Sequence, residues 1–452
     1  MMSSVFFTDI GMKERYLGYL NFLGIPWNLK FLWAPVVDIF GSKRTWMLAV
    51  QSAITLLAAV IAGLCFTSAK VADPHLSTSI LVTLLVGMAF LAATNDVVID
   101  GYYMEGLTIA GDQAAFTGYR VFAYRLSLVL VKFGIIFAVG SLAKKIPGGS
   151  MYTAWGYGFL AAAGTMGLFT AYHFITLPDF TAARKTATTI RKATTDFIAS
   201  FASYLNIPEQ RASFAIKSSG IAFAAVFSVY FYIRHEPIQA LAFGLIGLLV
   251  SLLLQAHKTV AFSLLFIIFY KIGDEIIFSM GTPFLKRYLL VSNNQLAWMT
   301  GLLGLIGSIA GTTAGGLYIK NHGLKKAIWP LTLFMNLNIA AYIWLAWKHP
   351  LATTTTGLLT IGAVYCYEQI AAGLGNAALI VYILHTCKKE FKAGHYAIGS
   401  AFMSIFSTVF GGFGGIIVEK TGYLNLFVIG LLATIPAMLL MFFVPVRDEP
   451  PV

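Results

Sequence analysis

The chain has 452 residues, 58% of them hydrophobic and 11% charged, with a formal net charge of +12 from 31 Lys+Arg and 19 Asp+Glu. Soluble domains carry about a quarter charged residues and disordered chains pair low hydrophobicity with high charge, so both classes are excluded. The basic excess sits in short loops between apolar runs, the pattern of cytoplasmic membrane-protein loops rather than of a nucleic-acid partner.

About thirteen apolar segments of spanning length follow one another near 17–37, 45–66, 77–107, 117–142, 154–177, 214–233, 238–256, 260–283, 296–318, 327–347, 355–386, 394–418 and 424–445. Lengths of about 20 residues with poor alternation point to helices rather than barrel strands. A backbone in lipid must satisfy its own hydrogen bonds, so the expected fold is an all-α polytopic bundle. Cys65, Cys366 and Cys387 show neither metal-ligand nor disulfide-framework spacing, and no phosphate-binding loop or dinucleotide fingerprint is present. No metal or cofactor is expected, and no signal peptide is read at the start.

Orientation follows from the loop cations. Lys43, Arg44, Arg184, Lys185, Arg191, Lys192, Arg211, Lys320, Lys325, Lys326, Lys388, Lys389, Lys392 and Arg447 fall on one side, against Lys70, Lys144, Lys145, Lys348 and Lys420 on the other. The first side is cytoplasmic, which places the C-terminus inside.

A weak internal repeat implies two halves. Gly41-Ser42-Lys43-Arg44 after the first segment echoes Gly323-Leu324-Lys325-Lys326 after the ninth, and four spans follow each loop. Two spans precede the second loop and only one precedes the first. The expected organisation is an N-terminal helical half over 1–177 lacking its first helix, a basic cytoplasmic linker over 178–213, an extra helix pair over 214–256, and a six-helix half over 257–452.

Charges within the spans are the candidate functional groups, because an ionisable side chain at membrane depth needs a partner or a cavity. Lys30 sits about two turns before the end of its segment, where either a cavity role or snorkelling accounts for it. The 38–44 stretch, with Asp38, Gly41, Lys43 and Arg44, can form a charge latch at a cytoplasmic helix end. Asp96 and Asp100 share one helical face at i, i+4. Arg120, Arg125 and Lys132 follow as cations, either in a static salt-bridge network or in a transport site. In Tyr270-Lys271-Ile272-Gly273-Asp274-Glu275, Lys271 can reach either Asp274 or Glu275, and the remaining acid is a candidate proton site. Glu368 is an acid in an otherwise apolar run. Gly307, Gly311 and Gly315 recur every four residues and make one smooth helix face.

The run Leu23-Gly24-Ile25-Pro26-Trp27-Asn28-Leu29-Lys30-Phe31-Leu32-Trp33-Ala34-Pro35-Val36-Val37-Asp38 resembles the second helix of AmpG-type muropeptide permeases, shared with the related acetyl-coenzyme A transporters. Ala93-Thr94-Asn95-Asp96 through Asp100 is similar to that group's fourth helix, Tyr270 through Asp274 with Thr282-Pro283-Phe284-Leu285 to its seventh, and Glu368 through Asn376 to its tenth. Asn95 stands where the family has Gln, and 101–104 departs from the muropeptide permeases. The 38–44 stretch resembles the loop motif of the major facilitator superfamily. The resemblance covers most of the chain. It implies a major facilitator fold and proton-coupled uptake of a solute, such as a muropeptide, across a bacterial inner membrane.

The expectation is therefore a non-enzymatic, monomeric secondary transporter whose partners are a small solute, protons and the lipid bilayer. Its substrate and proton candidates are Lys30, Asp96, Asp100, Arg120, Arg125, Lys132, Lys271, Asp274, Glu275 and Glu368. A sugar, siderophore or drug transporter on the same fold, or a non-transporting scaffold, remains the alternative.

Overall fold

The computed structural model describes residues 2–70, 75–106, 119, 123–146, 150–179, 195, 203, 205, 214–234, 236–387, 392–444 and 446. Among them every regular element is helical. The helices are α1 (Met2–Asp9), α2 (Glu14–Tyr19), α3 (Ile25–Leu29), α4 (Ala34–Ile39), α5 (Lys43–Ser68), α6 (His75–Gly106) and α7 (Ala123–Ala143). They continue as α8 (Met151–Thr176), α9 (Phe214–Ile233), α10 (Pro237–Gln255), α11 (Lys258–Pro283) and α12 (Asn293–His322). The last four are α13 (Leu324–Lys348), α14 (Thr355–Thr386), α15 (Lys392–Gly412) and α16 (Gly414–Leu440).

Each apolar segment read from the sequence coincides with helical structure, and nine of the helices among the described residues are long and apolar enough to cross a membrane. Serine caps set several starts: Ser42 Oγ accepts from Thr45 N and Ser150 Oγ from Thr153 N, while Ser292 and Gln295 form a reciprocal capping box at α12. Gly422, at φ 83°, breaks α16 into two helices, so the final span begins after it.

The first apolar segment departs from a simple span. Over 14–39 it is three short α-helices separated by 3₁₀ turns at Leu20–Gly24 and Lys30–Leu32. Pro26 and Pro35 each sit in the first turn of a new helix, where a missing N–H is tolerated but would interrupt a continuous one. Leu29 (φ −102°, ψ 1°) and Trp33 (φ −113°, ψ −2°) flank the break at Lys30.

The chain forms two compact units. One comprises Met1–Thr194, Met280–Gly307 and Lys348–Gln369; the other comprises Thr195–Ser279, Ser308–Trp347 and Ile370–Val452. The division runs through α11, α12, α13 and α14, so it does not follow chain order.

In the first unit α5 packs along α8, and α1 buries Phe6 and Phe7 completely. The Phe6 ring meets Trp155 at 5.6 Å and Phe159 at 5.3 Å, both edge-on. A π-helical turn in α7 (Leu130–Ile135) faces another in α12 (Trp298–Leu303), with Phe133 and Trp298 centroids 4.9 Å apart. In the second unit Phe266, Tyr270, Leu331, Met335 and Tyr382 belong to one buried cluster. There α12 and α14 approach so closely that a Cβ at Gly311 would lie 2.1 Å from the Ile370 carbonyl oxygen. The α9–α10 pair is held by Phe243, which stacks on Phe227, Phe231 and, at the end of α15, Phe413.

Candidate functional site

The break in the first span delivers Lys30 to α6. Its Nζ lies 2.5 Å from Asp96 Oδ2 and 3.7 Å from Asp100 Oδ2. One turn on, Trp33 Nε1 donates to Thr94 Oγ1 at 3.2 Å. The i, i+4 spacing of the two acids lets one ammonium serve both. Lys30 is thus a cation that meets both Asp96 and Asp100; Arg120, expected to open the next helix as one of their partners, lies outside the described residues. Lys132 is instead within electrostatic range of Arg125 and Glu368. Glu368 is 9% exposed and accepts from Gln369 Nε2 at 2.8 Å. The structure therefore gathers two charge sets in the first unit: Lys30 with Asp96 and Asp100, and Lys132 with Arg125 and Glu368.

In the second unit Lys271 Nζ lies 2.6 Å from Asp274 Oδ2, with the side chains 16% and 13% exposed. Of the two acids that the sequence offers Lys271, Asp274 forms this pair, and Glu275 follows it on the next position of α11. The adjoining Tyr270 is fixed by its hydroxyl, which donates to the Gly375 carbonyl at 2.9 Å and accepts from Thr332 at 3.4 Å. Gly273 has no side chain because α16 passes there: a Cβ would lie 2.6 Å from the Gly430 carbonyl oxygen. These contacts hold in place the turn of α11 from which the pair projects.

The 38–44 stretch is a clamp. Gly41 takes φ 71°, a left-handed turn that favours glycine. Lys43 is buried and donates to the Val37 carbonyl at 3.0 Å, in space that Gly101 leaves open on α6. Arg44 donates to the Phe174 carbonyl at 2.8 Å and lies over the Phe174 ring. The loop thereby ties α5 to α4 and α8. The Asp38 side chain lies outside the described residues, as do most of the 178–213 linker, Lys388 and Lys389. Among the described residues no group of three His, Cys, Asp or Glu is placed to hold a metal.

A further constellation is not among those read from the sequence. Asp9, at the end of α1, pairs with Lys286 and accepts from Trp155 Nε1 and Asn293 Nδ2, each at 2.8 Å. Lys286 also donates to Asn293 Oδ1. Beside it Arg287 reaches Glu14 Oε1 at 2.8 Å and the Thr8 carbonyl at 2.9 Å. Lys286 lies beyond the end of α11; burial pulls its ammonium below the ordinary lysine value, and Asp9 opposes that pull. Trp155 and Phe174 are both on α8, about 28 Å apart along its axis. The Asp9 cluster and the Arg44 clamp therefore sit near opposite faces of an apolar layer about 30 Å thick.

No family model matches the chain. It is similar to an uncharacterised protein of Haemophilus influenzae, 27% identical over 462 residues that span 99% of this chain and 91% of the relative. It is similar also to the anhydromuropeptide permease of Escherichia coli, 24% identical over 432 residues, 94% of this chain and 72% of that protein. Among solved structures it resembles a D-xylose–proton symporter, with TM-score 0.60 and 12% identity, over 100% of this chain and 94% of the other.

The fold is that of the major facilitator superfamily, and the chain is a multi-pass inner-membrane transporter of small solutes, not an enzyme. Within that fold its resemblance is to the AmpG-type permeases, as the runs around Lys30, Asp96, Lys271 and Glu368 implied.

Proposed function

We propose that this protein imports a muropeptide-like, anionic amino-sugar peptide into the bacterial cytoplasm, driven by protons and acting as a monomer. The observation that carries the reading is the Lys30–Asp96 ion pair at the break in the first span. Discontinuous helices are where transporters build substrate and ion sites. A proton arriving on Asp96 frees the Lys30 ammonium, and a solute carboxylate takes its place. Lys271 and Asp274 supply a second pair of the same kind. Lys132 and Arg125 add cations for further solute anions, with Glu368, Asp100 and Glu275 as proton or cation seats. The likeness to an anhydromuropeptide permease supports the solute class.

In this reading the 1–177 and 257–452 halves alternate access, joined by a cytoplasmic 178–213 linker, with 214–256 as an accessory pair and the C-terminus inside. The Gly41–Arg44 clamp lies at the cytoplasmic face and the Asp9–Lys286 cluster closes the outer one. Uptake into proteoliposomes tests the solute class. Labelled anhydromuropeptide should accumulate, and unlabelled muropeptide should compete where xylose, nucleosides and siderophores do not. Competition by a neutral sugar with equal potency would reassign the substrate.

A further inference from the structure

Phe174 joins two features that the transport account does not use together. Its carbonyl and ring hold the Arg44 guanidinium. Its side chain also lines an open groove of about 650 Å³ between α5 and α8, with Leu48, Thr55, Ala59, Gly167 and Thr170 along its walls. The lining is apolar apart from short hydroxyl side chains, and Thr55 and Thr170 direct theirs to carbonyls of their own helices.

The dimensions fit one leaflet. From Leu48 to Ala59 the groove descends α5 by about 16 Å, and half of a hydrocarbon layer of about 30 Å is about 15 Å. At its upper end Arg44 precedes Leu48 by one turn, on the same helix face. The N-terminus of the 26-residue helix α5 adds its partial positive charge there. Arg44 is only partly buried, and the one hydrogen bond its guanidinium makes among the described residues is from Nη2 to the Phe174 carbonyl, so outer N–H groups of its five donors are left for a headgroup. A carboxylate among the described residues stands at this level: Asp179 and Arg44 both act on the Tyr102 hydroxyl, which itself donates to the Pro178 carbonyl.

We propose that the α5–α8 groove binds an anionic phospholipid of the leaflet on the Arg44 side, with an acyl chain along the groove and the headgroup phosphate on Arg44. An anionic headgroup is favoured because the positive charges at the groove's end are, among the described residues, the Arg44 guanidinium and the helix terminus, whereas Asp179 weakens the attraction without supplying it.

The test is native mass spectrometry of the full chain with equal amounts of phosphatidylglycerol and phosphatidylcholine bearing the same acyl chains. The wild type should retain phosphatidylglycerol preferentially. Arg44→Gln should cut that retention about fivefold, the worth of one arginine at an anionic surface, and leave phosphatidylcholine unchanged. Asp179→Asn should raise phosphatidylglycerol retention. Gly167→Leu, which projects a side chain towards Thr55, should reduce both lipids alike. If Arg44→Gln does not fold, Arg44→Lys, which should retain the preference, and Asp179→Asn decide the matter. An unchanged ratio of the two lipids across the charge variants would overturn the proposal and leave a groove that accepts any acyl chain.

Discussion

Lys30 and Asp96 are 66 positions apart in the chain, yet their charged atoms lie 2.5 Å apart. The contact exists because two prolines break the first span and turn Lys30 toward α6. An unpaired charge at span depth costs about 2.5–3.5 kcal/mol on insertion scales, which water at these half-exposed side chains reduces. Lys30→Met and Asp96→Asn should each lower muropeptide uptake by more than about tenfold. The double variant should recover thermal stability relative to Lys30→Met, without recovering uptake. Melting curves beside initial uptake rates separate the two effects.

Lys271 and Asp274 occupy one helical turn and can exchange partners without backbone movement. Asp274→Asn should abolish proton-driven accumulation while solute exchange across the membrane survives. Glu419→Gln, at an exposed position of α16, should leave both intact. Near-wild-type accumulation in Asp274→Asn would make the pair purely structural.

The Asp9 cluster is buried, with side-chain exposures of 4% for Asp9 and 9% for Lys286. Removing one partner of a buried pair typically costs about 3–5 kcal/mol because the other charge is stranded. Asp9→Ala should therefore lower the melting temperature markedly. Adding Lys286→Met should restore part of the loss, a non-additive result that marks direct coupling. In the transport reading Asp9→Ala should also increase alkylation, from the outer side, of a cysteine placed at Asn293.

Gly311 and Gly316 form an internal control on α12. A Cβ at Gly311 would meet backbone of α14, whereas one at Gly316 would meet nothing within 4 Å. Gly311→Ala should destabilise by about 1–3 kcal/mol through overpacking, and Gly316→Ala should be neutral or slightly stabilising. Thermal unfolding in detergent reads both.

The helices were legible in the sequence because apolar runs of spanning length are local information. Lys30, Asp96, Lys271, Asp274 and Glu368 stood out by the same logic, as charges in segments that should hold none. Their pairing was less legible. Asp96 and Asp100 looked toward Arg120, Arg125 and Lys132, the cations nearest in sequence; Arg120 lies outside the described residues, and the structure brings the two acids Lys30 from the first span. Pro26 and Pro35 were visible, but the apolar run containing them read as one span because hydropathy averages over a break. The Asp9–Lys286 pair joins residues 277 positions apart. Asp9 lies ahead of the first recognised span and Lys286 beyond an apolar one, so neither is conspicuous alone. Only the adjacent cations Lys286-Arg287, following Pro283, hint that two acids elsewhere must answer them.

The central claim is coupling of solute entry to protons through the charges in the spans, and proteoliposomes with an imposed pH gradient address it most directly. With the exterior acidic, wild-type protein should concentrate labelled anhydromuropeptide inside, and a protonophore should abolish the accumulation. Asp274→Asn should only equilibrate the solute. Wild-type uptake that ignores the gradient and the protonophore would contradict the account.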